Sequence, residues 1–150
     1  MRDAAEIARD LSSLGPLDET KVQRFDALLA EAVQSREQML IPILLARLDD
    51  GSPFHDVVFG VVHAVESFPG EAYFHALASN LAQMQQRAPE WCELLHTRIL
   101  NSPPHFEAFL TTFQSLDRAA RDQEIEILSR ISADPNFAAR CRIGIERLQA

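Results

Sequence analysis

Three prolines, each preceded by a side chain that can cap a helix, divide this chain into helical segments. They stand in Ser52-Pro53, Ser102-Pro103 and Asp134-Pro135. Ser and Asp are favoured at the N-cap of a helix, and proline is favoured at its first position. Asp18 and Ser35 are further candidate caps, and a glutamine three residues after Ser35 completes the spacing of a capping box. This punctuation predicts a chain built from short helices.

The spacing of apolar residues supports the same conclusion. Apolar side chains recur at helical intervals, as in the stripe of Val58, Val61, Val62 and Val65. Strict alternation over the length of a strand is absent. Nine helical segments are predicted, over residues 3–13, 18–33, 36–49, 53–67, 71–86, 89–100, 103–115, 118–132 and 135–148. The predicted buried side chains include Val61, Leu77, Leu81, Trp91, Leu95 and Ile99.

The predicted fold is all-α, with about eight or nine antiparallel helices in a single domain over residues 1–150. Turns of two to four residues cannot reach the far end of a helix, so consecutive helices must run antiparallel. Helix pairs begin roughly every 35 residues, which suits a HEAT-like α-solenoid. No repeated residue pattern supports a solenoid, and a compact helical bundle remains the alternative.

Charge restricts the partners of the chain. Its 22 acidic and 14 basic residues give a net charge of −8, which repels the phosphates of nucleic acids and anionic membranes. No segment approaches the roughly 20 apolar residues of a membrane span. The first residues are charged and lack the apolar run of a secretory signal. We therefore expect a cytoplasmic protein that binds neither nucleic acid nor membrane, with an oligomeric state that the sequence leaves open.

No catalytic, cofactor or metal site is expected. A nucleophile elbow and a phosphate-binding loop are both absent, and Cys92 and Cys141 lie in apolar helical patterns typical of buried free thiols. Glu93 and His96 have the Glu-x-x-His spacing of di-iron bundles, but such a site needs a second copy and two more glutamates. On a helical wheel both face away from Trp91, so we expect them to point outward. The chain is therefore predicted not to be an enzyme.

The stretch from residue 48 to residue 86 contains five acidic residues and no Lys or Arg. On its first predicted helix, Asp56 and His63 project opposite the valine stripe. With Asp49, Asp50 and Glu71, they are the candidate partner-binding residues, forming a docking surface for a basic protein. An ordinary solvated helix face is the alternative interpretation.

One charged residue departs from this surface pattern. Arg98 falls within the apolar stripe of its own helix, where a partly buried guanidinium needs a carboxylate. Glu66 flanks the valine stripe of an earlier helix, so we expect a structural ion pair between Glu66 and Arg98.

Three segments together carry a resemblance: residues 61–68 (VVHAVESF), 89–96 (PEWCELLH) and 98–102 (RILNS). In this order they resemble the immunity protein 30 family of bacterial polymorphic-toxin systems, over residues from about 38 to 132. The residues of this pattern are Glu66, Trp91, Arg98 and Asn101, and we expect them to be mainly structural.

The resemblance implies an all-α immunity protein, an antitoxin that binds and neutralises a cognate toxin of the contact-dependent growth inhibition type. Many such toxins are nucleases with basic clefts, which an acidic surface could cover. A different hypothesis, a helical-repeat adaptor or scaffold with several protein partners, also fits the predicted fold.

Overall fold

The computed structural model describes residues 2–150 and contains ten α-helices within them. In chain order they are α1 (Ala4–Ser13), α2 (Val22–Ser35), α3 (Leu40–Leu45), α4 (His55–Glu66), α5 (Gly70–Ser79), α6 (Leu81–Arg87), α7 (Pro89–Leu100), α8 (Pro103–Gln114), α9 (Arg118–Ile131) and α10 (Ala138–Gln149). These residues include no β-strand, so the predicted all-α fold is confirmed.

The single helix predicted over residues 71–86 is two helices in the structure. The described residues therefore contain ten helices where nine were predicted. The chain breaks at Asn80, between α5 and α6. The side-chain amide of Asn80 donates a hydrogen bond of 2.7 Å to the carbonyl of Ala76, and its backbone N–H donates to the same oxygen. A side chain that competes for backbone carbonyls in this way ends the helix.

Several helices begin later than predicted. Ser102 stands directly before α8, as expected, but its side chain makes no capping hydrogen bond. Ser52, Asp134 and Asp18 lie three or four residues before α4, α10 and α2. Each of these three side chains accepts a hydrogen bond from the backbone N–H two residues further on. Ser35, the last residue of α2, does the same. These polar residues therefore close short turns instead of capping helices.

The helices form two rows. In the first row, α1 contacts α3, α3 contacts α5, α5 contacts α8, and α8 contacts α10. In the second row, α2 contacts α4 and α7 contacts α9. Helix α6 joins the rows through contacts with α5, α7 and α9. The resulting arrangement is compact, with α4 and α7 meeting through the side chains described below.

Buried apolar side chains from all ten helices form one contiguous cluster. The predicted core residues Val61, Leu77, Leu81, Trp91, Leu95 and Ile99 all belong to it, so this prediction is confirmed. Cys92 and Cys141 are buried free thiols, also as predicted. Between residues 2 and 150, every helix is too short or too polar to cross a bilayer.

Candidate protein-interaction surfaces

The structure distributes the predicted partner-binding residues over two parts of the molecule. Asp49 and Asp50 lie in the connection between α3 and α4, while Asp56 and His63 are exposed on α4. Glu71 is exposed in the first turn of α5, a helix of the other row. They therefore lie on three successive parts of the chain, the α3–α4 connection, α4 and α5.

Asp50 already has a partner within the chain. Its carboxylate accepts hydrogen bonds from the backbone N–H groups of Glu90 (2.8 Å) and Trp91 (3.2 Å), at the N-terminus of α7. No side chain at the N-cap of α7 makes such a bond, so Asp50 caps this helix from outside. Asp49 is exposed and accepts a bond of 2.9 Å from the N–H of Gly51.

An aromatic cluster joins α4 to α7. The rings of Phe59 and Trp91 meet edge to face with centroids 6.0 Å apart. The ring of His63 lies 5.1 Å from Phe59, and that of His55 lies 6.1 Å from Trp91. We call this face, formed by His55, Phe59, His63 and Trp91, the α4–α7 surface. These rings pack against one another favourably, because tilted and edge-to-face pairs are the favoured aromatic geometries.

Glu66 and Arg98 meet beside this cluster. Arg98 Nε and Nη2 donate to the two carboxylate oxygens of Glu66 at 2.7 and 2.8 Å, a bidentate pair. The guanidinium of Arg98 also lies 5.4 Å from the centroid of the Phe59 ring. Donation of hydrogen bonds to the Glu66 carboxylate raises the pKa of Arg98. One donor edge and one face of the guanidinium are therefore occupied within the chain.

The same ion pair lines a cavity of about 430 Å³ between the α4–α5 and α7–α8 turns. Asn101 and the imidazole of His105 line it as well, with Tyr73 at its wall. Tyr73 is 4% exposed, and its hydroxyl has no hydrogen-bond partner among residues 2–150. Burial, and then the charge of Glu66, raise the pKa of Tyr73, which keeps the phenol protonated.

The prediction that His96 points outward is wrong. His96 is 1% exposed, and its Nε2 lies 2.8 Å from Oε1 of Glu124, which is fully buried. Helix α9 packs on the side of α7 opposite Trp91, so α7 is buried on two sides. Glu93, its neighbour in the predicted metal pattern, is exposed. Groups of three residues that could hold a metal are absent from the described part of the chain.

Sequence reasoning missed Glu124, although a signal was present. Glu124 stands three, four and seven residues before Ile127, Leu128 and Ile131, so it lies on the apolar stripe of α9. A carboxylate at such a position requires a buried partner. His96 supplies it, and its Nδ1 lies 2.7 Å from the carbonyl oxygen of Cys92.

A second surface feature lies between α3 and α5. Gln38, Met39, Pro42, Pro69, Glu71, Ala72, His75 and Ala76 line a cavity of about 620 Å³, which we call the α3–α5 groove. Met39 is 55% exposed, unusually high for a large apolar side chain in this protein. Sequence reasoning placed Met39 inside a helix over 36–49, whereas α3 begins only after it. Glu71 is the one predicted partner-binding residue that lines this groove.

Comparison with known protein families gives a match over most of the chain. The family model described as Immunity protein 30 matches residues 14–109. This range starts earlier and ends earlier than the resemblance over residues 38 to 132. It contains the α4–α7 surface and the α3–α5 groove, but not Glu124. No curated protein and no solved structure matches the chain.

Proposed function

This chain belongs to the immunity protein 30 family, and from that premise we propose that it binds one cognate bacterial toxin domain tightly in the cytoplasm and blocks it. Membership of an immunity-protein family implies toxin neutralisation by a protein that is an inhibitor and not an enzyme. The observation that carries the proposal is the family match over residues 14–109.

The partner is proposed to be a toxin with a basic surface, such as the substrate cleft of a nuclease. Charge supports this choice, because the chain carries a net −8 and has no Lys or Arg from residue 48 to residue 86. Exposed carboxylates sum into a field that guides a cationic surface and raises the association rate. Asp49, Asp56 and Glu71 are exposed and supply this field, with His63 beside them. Asp50 also contributes its negative charge to this field, while its carboxylate caps the N-terminus of α7.

The two rows of helices support a further part of the proposal, that the fold is a short HEAT-like solenoid. In a solenoid each helix contacts its counterpart in the neighbouring repeat, as α1, α3 and α5 do here in sequence. Stacked helix pairs present an extended surface formed by several repeats. Such a surface is suited to covering a large part of a toxin domain.

Co-expression tests the proposal. The product of the reading frame next to the gene of this chain is expressed alone and together with the chain. The expected result is growth arrest by the neighbouring product alone, restored growth on co-expression, and co-purification of the two proteins as one complex. A neighbouring product that is not toxic, or that remains toxic and unbound, contradicts the proposal.

Charge reversal tests the acidic surface within that complex. A chain with both Asp56→Lys and Glu71→Lys should associate more slowly with the toxin domain than the native chain does. Added salt should slow the native association and reduce the difference between the two chains. An association rate that depends neither on salt nor on these two charges contradicts a basic partner surface.

A further inference from the structure

We infer that the α3–α5 groove is the contact centre of the toxin interface, and that it receives an apolar side chain from a basic segment of the toxin. This inference rests on the proposed function and specifies which face docks. The groove combines an exposed apolar side chain, Met39, with an acidic one, Glu71, in a cavity of about 620 Å³.

The apolar part of the groove is suited to a protein partner. Met39, Pro42, Pro69, Ala72 and Ala76 all line it. Methionine is flexible and polarisable and adapts to the shape of an incoming side chain. Interface energy is concentrated in well-packed central pockets that exclude water. Exposed to 55%, Met39 has most of its own surface still available for such packing.

The charge at the groove selects the chemistry of the partner. Glu71 lines it, His75 stands one helical turn further along α5, and no Lys or Arg lines it. Across residues 2–150, neither of these two side chains forms a hydrogen bond or an ion pair. A Lys or Arg flanking the inserted apolar side chain would therefore give Glu71 a partner, whereas an acidic segment would be repelled.

The α4–α7 surface is less suited to this role, because its groups are already partnered inside the chain. Phe59 packs on Trp91 and His63 and lies against the Arg98 guanidinium. Arg98 in turn holds both carboxylate oxygens of Glu66. A partner that bound there would have to compete with these contacts, whereas the α3–α5 groove offers unpartnered groups.

Kinetic measurement of toxin binding tests the inference. The probe is the neighbouring-gene toxin domain, bound by the native chain and by single variants. Met39→Ser and Glu71→Lys should each increase the dissociation rate by about tenfold, because both residues make contact in the complex. Ile143→Ser is the matched apolar control, since Ile143 is also 55% exposed but lies on α10. It should leave both rates unchanged.

Asp56→Lys is the matched charge control. It makes the same charge change as Glu71→Lys but on α4, and it should slow association without increasing the dissociation rate, as expected for a charge that steers without contact. The variant residues are exposed, so unfolding temperatures should stay close to that of the native chain. Met39→Leu, which keeps an apolar side chain, should retain most of the affinity.

The outcomes separate this inference from the proposed function. If the toxin domain binds the native chain but dissociates from Met39→Ser at the native rate, the groove is not the contact centre, and the antitoxin function stands. The inference is also overturned if Asp56→Lys, and not Glu71→Lys, increases the dissociation rate. A native dimer that Met39→Ser converts to a monomer would make a second copy of the chain the occupant. If the toxin domain does not bind the native chain, the proposed function and this inference both fail.

Discussion

His96 and Glu124 form a buried pair in which the two side chains share one proton. The carbonyl oxygen of Cys92, 2.7 Å from His96 Nδ1, can only accept a hydrogen bond, so Nδ1 must carry a proton. At His96 Nε2, 2.8 Å from Glu124 Oε1, a further proton lies between the imidazole and the carboxylate. The pair is therefore either an imidazolium with a carboxylate or a neutral imidazole with a carboxylic acid. In both forms its net charge is zero.

This relationship gives the first prediction, that stability falls as the pH rises above about 6.5. Burial alone lowers the pKa of His96, but the charge of Glu124 and the hydrogen bonds raise it well above its ordinary value. A His with a raised pKa in the folded protein stabilises it fully below the pKa of the unfolded chain. That stability is lost as the pH rises toward the folded pKa. The free energy of unfolding should therefore fall by about 1.4 kcal/mol per pH unit in this window.

Chemical denaturation between pH 6.5 and pH 8.5 measures this slope. Burial raises the pKa of Cys141 in the folded protein, so near the upper limit its thiol begins to ionise in the unfolded chain, and a control that keeps Cys141 accounts for this. The control is a double variant, His96→Gln with Glu124→Gln, which keeps hydrogen-bonding groups but cannot titrate. Its stability should vary much less over the same range. A native slope equal to that of the control would show that the pair does not retain its proton.

The second prediction concerns the ion pair of Glu66 and Arg98. Their side chains are 29% and 37% exposed, so solvent screens the attraction, and the bidentate geometry should give a coupling energy of about 1 kcal/mol or less. Arg98→Met should destabilise the fold more than Glu66→Gln, because it also removes the charge that lies over Phe59. A double-mutant cycle by denaturant unfolding measures the coupling. Additive effects would show that the pair contributes nothing.

The third prediction separates two neighbouring aspartates. Asp50→Ala should reduce the free energy of unfolding by about 1 to 2 kcal/mol, because two N–H groups at the start of α7 lose their acceptor. Asp49→Ala is the matched control, and it should cost much less, because Asp49 is exposed and bonds only to the N–H of Gly51. Thermal or denaturant unfolding compares the two. Equal losses would contradict the capping role of Asp50.

The helices could be predicted because the residues that specify each helix lie within it or directly beside it in the sequence. Apolar spacing within α4, α5 and α7 identifies the buried residues, and Ser102 before two prolines marks the start of α8. The expectation that Glu66 and Arg98 meet could also be formed, because each flanks an apolar stripe. Their atoms lie 2.7 Å apart in the structure.

The rest depends on contacts between distant parts of the chain. The burial of His96 requires knowing that α9 packs on α7, and the capping of α7 by Asp50 links residues about forty positions apart. The α3–α5 groove arises where α3 begins and α5 packs beside it, so Met39 could not be separated from the apolar run that follows it. Helix periodicity contains none of this information.

The last prediction concerns the buried hydroxyl of Tyr73. Tyr73 is buried, with only 4% of its surface exposed, and its hydroxyl has no hydrogen-bond partner within residues 2–150. A buried hydroxyl without a partner loses its hydration and gains nothing in return. Tyr73→Phe should therefore increase the free energy of unfolding by about 1 kcal/mol, while Tyr73→Leu, which also removes the ring, should reduce it by about 1 kcal/mol or more. Denaturant unfolding measures both variants. A clear loss of stability in Tyr73→Phe would mean that water in the neighbouring cavity bonds to this hydroxyl in solution.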